Sequence, residues 1–196
     1  MKRALSVLLA LAACRANPPA QSGAQGPRRE LEFLGASRFP LHELEAAVDT
    51  DLGEVADRKS PKSAVDDAAY ALVEFYRARG FPDCTVEYEL VEVTPAHLRA
   101  RFTIVEGVQT LLAGIELVGN ARFDRAELLA AAGFSDEPRP YVESELAHVA
   151  DALAAHYLSK GYLDVRVTEP QVELDDSHEH ARATIRVEEG ACYRLA

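Results

Sequence analysis

The chain contains the same sequence pattern twice. Three segments return in the same order: 31–39 (LEFLGASRF) as 115–123 (IELVGNARF), 76–81 (YRARGF) as 157–162 (YLSKGY), and 106–107 (EG) as 189–190 (EG). The period of the first segment is 84 residues. That period exceeds the ~20–50 residues of a solenoid unit and leaves room for a small domain with its own core. The repeat therefore predicts two tandem modules, and it favours modular binding over a single catalytic pocket.

Each module is predicted to have the element order β-α-α-β-β. The second helix has the clearest pattern, because its apolar residues are spaced i, i+4, i+7, i+8 and i+11 and form one stripe. Alternating apolar and polar residues indicate strands with one buried and one solvated face. We expect the two helices of a module to cover one face of a three-stranded sheet. The predicted helices are 40–52, 63–79, 124–132 and 143–160, and the predicted later strands are 85–93, 98–106, 165–174 and 181–188.

Glycine and proline mark the ends and edges of the predicted strands. Gly35 and Gly119 follow the first strand of each module, where a turn is expected. In module two, Asp124 is predicted to cap the first helix, and Gly133 is predicted to end it. Pro170 lies inside the predicted strand 165–174. Because proline has no N–H to donate to a neighbouring strand, this strand is predicted to lie at the edge of its sheet.

Residues 1–13 have the pattern of a signal peptide, with a basic start and an apolar run too short to cross a bilayer. The run ends in Leu-Ala-Ala-Cys, which resembles the bacterial lipobox. This resemblance implies cleavage before Cys14 and a lipid anchor on its sulfur. The alternative is an ordinary secretory signal with an incidental cysteine. Arg15 weakly favours the outer membrane, and residues 14–28 are predicted to form a flexible tether.

Charge and cysteine content narrow the function classes. The chain carries 21 basic and 32 acidic side chains, a net charge of −11. A generic nucleic-acid-binding protein would instead present a basic face, so nucleic acid is not a predicted partner.

In an oxidising periplasm, Cys84 and Cys192 could form a disulfide between the modules. Two separate thiols are the favoured alternative, because these cysteines occupy non-equivalent positions in the two modules.

The sequence does not favour an enzyme or a metalloprotein. Residues 175–180 (DDSHEH) carry carboxylates and histidines that could bind a metal ion. A single loop, however, seldom holds ligands in the geometry that metals need. The sequence shows no Ser-His-Asp arrangement, P-loop or GxGxxG motif. We therefore predict a protein without catalytic residues, metal site or cofactor.

The combined motifs resemble the POTRA domain family. The residues that carry the resemblance are Gly119-Asn120 after the first strand, the Tyr-x-x-x-Gly-Tyr segment 157–162, and Glu189-Gly190 after the last strand. The first module departs from this pattern at residues 35–36, which are Gly-Ala rather than Gly-Asn. The resemblance implies an α+β fold of two tandem POTRA modules, each with two helices packed on a three-stranded mixed sheet. We place the modules at 29–112 and 113–196.

POTRA arrays form the periplasmic part of BamA-like outer-membrane assembly factors and of two-partner secretion transporters. The resemblance implies that this chain binds unfolded outer-membrane or secreted polypeptides and passes them to an outer-membrane β-barrel. It also implies accessory lipoproteins as partners and a location at the periplasmic face of the outer membrane. The alternatives are a stand-alone lipoprotein accessory and a structural spacer. By the same resemblance, Ala196 lies where a further module or a barrel is expected to begin.

The expected binding mode is β-augmentation, in which an extended client adds a strand to a free sheet edge. We predict the penultimate strand of each module as the acceptor, and module one as the better acceptor, because Pro170 interrupts the strand of module two. The alternative is that both edges are solvated and guarded by their glutamates. The predicted acceptor residues are Val86, Glu87, Tyr88, Glu89, Leu90 and Val91 in module one, and Val165, Arg166, Val167, Thr168 and Glu169 in module two.

Overall fold

A computed structural model of the chain describes residues 28–53, 61–94, 97–135 and 137–193. The predicted signal peptide, Cys14 and nearly all of the predicted tether lie outside the described residues. The secondary structure elements, in chain order, are β1 (Arg28–Leu34), α1 (Leu41–Gly53), α2 (Pro61–Arg77), β2 (Thr85–Thr94), β3 (His97–Val105), β4 (Leu111–Val118), α3 (Arg125–Ala131), β5 (Arg139–Pro140), α4 (Glu143–Ser159), β6 (Arg166–Val167), β7 (Gln171–Leu174) and β8 (His180–Glu188).

The two modules repeat one topology. In module one the strand order is β1-β3-β2, with β1 parallel to β3 and β2 antiparallel to β3. In module two β4 is parallel to β8, while β6 and β7 are antiparallel to β8. The last strand of each module is therefore central, and the first and penultimate strands flank it. This arrangement confirms the predicted α+β fold with mixed sheets.

Each module has a separate hydrophobic core between its helices and its sheet. The predicted helical stripes supply much of it, since Leu72 and Tyr76 of α2 and Leu153 and Tyr157 of α4 are fully buried. Edge-to-face aromatic contacts then repeat between the modules. Phe39 contacts Tyr76 and Phe81 in module one, and Phe123 contacts Tyr157 and Tyr162 in module two. The repeated aromatic motifs of the sequence are thus core-forming residues.

The helix ends follow the predicted signals. Asp124 caps α3, and its carboxylate accepts a hydrogen bond from the N–H of Glu127 at 2.7 Å. Gly133 follows α3 with a φ of 69°, in the left-handed region that glycine adopts after a helix. In the part of the chain that is described, no helix is both long and apolar enough to cross a membrane.

The structure differs from the prediction in the strands of module two. Residues 165–174 form two short strands, β6 and β7, which are separated at Pro170 and lie at the sheet edge as predicted. The two-residue strand β5, which pairs with the start of β4, was not predicted. Two residues carry no detectable alternation, so the pattern could not reveal this strand.

The cysteines are separate thiols. Cys84 is buried in module one, Cys192 is exposed in module two, and both are free. The alternative of a disulfide between the modules is therefore wrong. Burial raises the pKa of the Cys84 thiol to about 11, which keeps it protonated and poorly reactive at neutral pH.

Candidate functional site

Strand β2 is one of the two edge strands of module one and has ten residues. The predicted acceptor residues 86–91 all lie in it. Glu87 and Glu89 are exposed, and the intervening Tyr88 is partly buried against the core. Among the described strands, β3 alone pairs with β2, so the main-chain groups on the other side of β2 form an open edge.

A β-bulge divides this edge. The pairing of β2 with β3 shifts register between Leu90 and Glu92, and Val91 is the extra residue. The Val91 side chain is 41% exposed. Because a bulge bends and twists a strand, it limits the length over which a second strand can pair regularly. The longest segment of β2 that pairs with β3 without a register shift is therefore residues 85–90.

The side chains on both faces of β2 are held in place. On the helix side, the Tyr88 hydroxyl donates a hydrogen bond to Asp66 of α2, and this bond raises the pKa of Tyr88. On the other face, Arg101 of β3 donates to Glu32 at 2.7 Å and to Glu89 at 3.2 Å. Through Arg101, these two hydrogen bonds connect β3 with β1 on one side and with β2 on the other. The carboxylates of Glu32 and Glu89 are thus both paired with Arg101.

The corresponding edge of module two is shorter. Arg166 and Val167 form β6, and Val165 precedes it. The Thr168 N–H still donates to the carbonyl of Arg186 at 2.9 Å, but residues 168–170 lie outside any strand. Glu169 therefore belongs to the break rather than to an acceptor strand. The structure brings the predicted residues of module one into one edge, whereas those of module two form only a broken one.

Sequence reasoning missed the role of the repeated Glu-Gly motif. The carboxylate of Glu106 accepts hydrogen bonds from the N–H and the hydroxyl of Ser37, from the N–H of Arg38 and from the Tyr76 hydroxyl, all at 2.6–2.9 Å. Burial opposes ionisation of Glu106, but these four hydrogen bonds outweigh it and lower the pKa of Glu106 from 4.5 to about 2. Burial raises the pKa of Tyr76, so its hydroxyl remains a donor.

Module two contains the same arrangement of hydrogen bonds around its glutamate, with fewer bonds. Glu189 accepts a hydrogen bond from the N–H of Arg122 at 2.8 Å and another from the Tyr157 hydroxyl at 2.9 Å. The residue equivalent to Ser37 is Ala121, which has no hydroxyl to donate. In each module, the glutamate of the Glu-Gly motif therefore links the end of the last strand by hydrogen bonds to the second helix and to the turn after the first strand. The sequence signal was present, because Tyr, Arg-Phe and Glu-Gly recur together.

The DDSHEH loop has a structural role at the junction of the modules. His178 Nδ1 lies 2.8 Å from an Asp83 carboxylate oxygen of module one. Nearby, Thr110 is fully buried, and its hydroxyl donates to the carbonyl of His178 at 2.7 Å. Within the loop, the hydrogen bond from His180 lowers the pKa of Asp175 to about 2. Among the described residues, no three His, Cys, Asp or Glu side chains are grouped to hold a metal ion.

The buried hydrogen bond of Thr110 should stabilise this junction more than the exposed contact between His178 and Asp83. We expect Thr110→Val to destabilise the protein by about 1 kcal/mol, because the substitution leaves the carbonyl of His178 without its donor. His178→Gly removes the side-chain contact with Asp83 and accommodates the positive φ of 59°. Since both side chains of that contact are about half exposed, we expect that change to cost clearly less than Thr110→Val. Urea unfolding of the two variants tests the order, and a larger loss for His178→Gly would contradict it.

Comparison with known proteins agrees with this architecture. Residues 111–190 match the model of the POTRA family, described as a surface antigen variable number repeat. The chain is similar to POTRA domains 3–5 of Haemophilus influenzae BamA, with 17% identity, a TM-score of 0.52, and coverage of 85% of this chain and 67% of that one. It is also similar to a Haemophilus ducreyi BamA that lacks POTRA domains 1–3, with 12% identity and a TM-score of 0.52. That match covers 82% of this chain but only 29% of the BamA chain. Residues 111–190 therefore match the POTRA family by sequence, and the first module repeats the same fold, which is similar to that of the BamA POTRA domains.

Proposed function

We propose that this chain is a periplasmic polypeptide-binding protein that receives unfolded outer-membrane or secreted proteins by β-augmentation. It then hands them to an outer-membrane β-barrel. The observation that carries the proposal is the open edge of β2, a ten-residue strand on the outside of a POTRA sheet. The proposal includes accessory lipoproteins as further partners of the same array. The module limits 29–112 and 113–196, the signal peptide and the lipid anchor at Cys14 are parts of this proposal.

The binding of a client strand to β2 is expected to be weak. Six residues of β2, 85–90, pair regularly with β3 and offer one regular stretch to a client. Cross-strand pairs contribute roughly 0.2–1 kcal/mol each, and association costs several kcal/mol in lost motional freedom. A client bound along this stretch would therefore exchange readily, which a handover requires. Main-chain hydrogen bonds also place little demand on the client sequence.

Module one is the better acceptor in this proposal. Its edge strand β2 has ten residues, whereas β6 and β7 have two and four and are separated at Pro170. Each missing pair lowers the affinity of an added strand. We therefore assign the main client contact to residues 86–91 of module one. A minor contact falls at residues 165–169 of module two.

Site-specific photo-crosslinking tests the acceptor edge. A photoreactive phenylalanine analogue at Glu87, whose side chain is exposed on β2, is expected to capture a urea-denatured outer-membrane β-barrel protein after dilution of the urea. The matched control is the same analogue at Tyr70, which is 65% exposed but lies on helix α2 rather than on a strand edge. We expect a yield at least about tenfold higher at position 87, which corresponds to about 1.4 kcal/mol of preferential binding.

Equal yields at the two positions would contradict strand addition at β2. A stand-alone accessory or spacer is the second candidate, and the buried hydrogen bond of Thr110 at the module junction favours it. A spacer has no reason to capture an unfolded client along one strand. Background-level crosslinking at both positions, with a native circular dichroism spectrum, would therefore favour the spacer.

A further inference from the structure

The first strands of the two modules have different outer edges. Strand β4 of module two is closed at two points. Strand β5 pairs antiparallel with its first residues, Leu111 and Leu112. Further along, Arg125 Nε donates a hydrogen bond to the carbonyl oxygen of Ile115 at 2.7 Å. A side-chain donor on an edge carbonyl occupies the group that an added strand would use.

The equivalent position in module one cannot make this contact. Arg125 is the first residue of α3, and the residue 84 positions earlier, Leu41, is the first residue of α1. Leucine has no hydrogen-bond donor in its side chain. Ile115 corresponds in the same way to Leu31 of β1. Among the described strands, β3 alone pairs with β1, so the far edge of β1 is open where β4 is closed.

Apolar side chains along β1 also remain incompletely covered. Ile115 is only 2% exposed, whereas its counterpart Leu31 is merely half-buried. Leu34 at the end of β1 is 48% exposed, and Leu41 is 55% exposed. A strand that lies along β1 would cover these side chains as well as satisfy its edge. Burial of this apolar surface adds to the main-chain hydrogen bonds.

The charged groups on β1 do not oppose an incoming strand. Arg99 of β3 lies 2.9 Å from a Glu32 carboxylate oxygen and 3.5 Å from one of Glu30. Arg101 also donates to Glu32, and the hydrogen bonds from Arg101 and Arg99 lower the pKa of Glu32. These carboxylates are therefore paired within the sheet. The surface favours a partner recognised by its backbone and apolar side chains rather than by its charge.

We propose that β1 is a second acceptor edge of module one, on the opposite side of the sheet from β2. It takes an extended polypeptide segment with alternating apolar side chains, in the antiparallel direction that β5 takes on β4. Arg125 keeps the equivalent edge of module two closed. This proposal rests on the proposed function, since it assumes that the chain binds extended polypeptides, and it assigns a different edge for the contact.

Reciprocal substitutions in the full chain test this assignment. The probe is a synthetic ten-residue peptide of alternating valine and threonine, and its control has two internal prolines. A photoreactive residue is placed at Leu34 in β1, at Val118 in β4, or at Glu87 in β2. We expect capture at position 34 and background at position 118. Leu41→Arg should reduce capture at position 34 by at least about fivefold, equivalent to one hydrogen bond of about 1 kcal/mol.

The controls separate edge closure from altered folding. Leu41→Ala removes the apolar side chain but leaves the edge open, so it should retain most of the capture at position 34. Arg125→Leu should produce capture at position 118, where the parent protein has none. Capture at position 87 should be unchanged in all three variants, because β2 lies on the other side of the sheet. Circular dichroism confirms that each variant is folded.

The outcomes distinguish this inference from the proposed function. Capture at position 87 alone overturns the β1 assignment and leaves the proposed function in place. Capture at position 34 alone supports the β1 edge and overturns the assignment of β2. Background at both positions overturns both. Crosslinks at position 34 within one chain, or between two copies without peptide, show another occupant of this edge and overturn the inference.

Discussion

Replacing Gly119 by alanine is expected to destabilise module two by about 2–5 kcal/mol. Gly119 follows β4 with a φ of 95°, and an added Cβ would lie 2.2 Å from the carbonyl oxygen of Val187 in β8. A left-handed conformation costs an alanine roughly 1–2 kcal/mol. Relief of the overlap would require backbone movement, which typically costs a further 1–3 kcal/mol or more. Urea unfolding of the full chain, followed by circular dichroism, should show an early transition of one module.

The chain provides a matched control for this substitution. Gly133 also has a positive φ, 69°, but apart from its chain neighbours no atom of the described residues lies within 4 Å of the position of its Cβ. Gly133→Ala should therefore cost only the conformational strain, about 1–2 kcal/mol. Gly35 in module one has the same close approach, 2.2 Å to the carbonyl oxygen of Ile104, and should respond like Gly119. Equal losses for Gly119→Ala and Gly133→Ala would show that the close approach to β8 carries no cost.

The repeat and the hydrophobic periodicity predicted two modules and their element order, and the family resemblance added the mixed sheet. The stripe of α2, with Leu72 and Tyr76 fully buried, and the cap at Asp124 depend on local sequence, so they were correctly predicted. The edge position of Pro170 also followed from a local property, its missing N–H. These features need no knowledge of distant contacts.

The features that were missed depend on distant contacts. The hydrogen bond of Arg125 to the Ile115 carbonyl follows from the way α3 packs beside β4, and nothing in the arginine's neighbours along the chain indicates it. The contact of His178 with Asp83 joins residues of different modules, so the DDSHEH loop could only be judged by its composition. The predicted acceptor residues of module one include one feature that follows from local sequence and one that depends on a distant contact. Alternation placed 86–91 in one strand, but the bulge at Val91 depends on the register with β3.

The differences between the modules are consistent with a division of roles. Module one has the longer penultimate strand, and β3 alone pairs with its first strand β1 among the described strands. In module two, β5, Arg125 and Pro170 shorten or close the corresponding edges. The second module instead contributes the loop that contacts Asp83 and Thr110 of the first. A sheet whose edges are blocked is protected from unwanted pairing, which suits a module that positions its neighbour.

Replacing Glu106 by glutamine is expected to destabilise module one by about 1.5–3 kcal/mol at pH 7. The carboxylate accepts four hydrogen bonds from Ser37, Arg38 and Tyr76, and hydrogen bonds to a charged group are the stronger kind. A glutamine has one acceptor oxygen, and its amide group would face donors on the other side. The corresponding change in module two, Glu189→Gln, removes only the bonds from Arg122 and Tyr157 and should cost less.

The contribution of Glu106 to the free energy of unfolding depends on pH. The pKa of Glu106 falls from 4.5 to about 2 on folding, so its contribution to the free energy of unfolding is fully present above pH 4.5. The contribution is lost as the pH falls toward 2, because the folded protein must then take up the proton. The difference in stability between the parent protein and Glu106→Gln should therefore be constant from pH 5 to 7 and shrink between pH 4.5 and 2. The other carboxylates titrate in both proteins and cancel in this difference. A difference that stays the same at pH 2.5 as at pH 7 would mean that the glutamine acts through packing rather than through the lost charge.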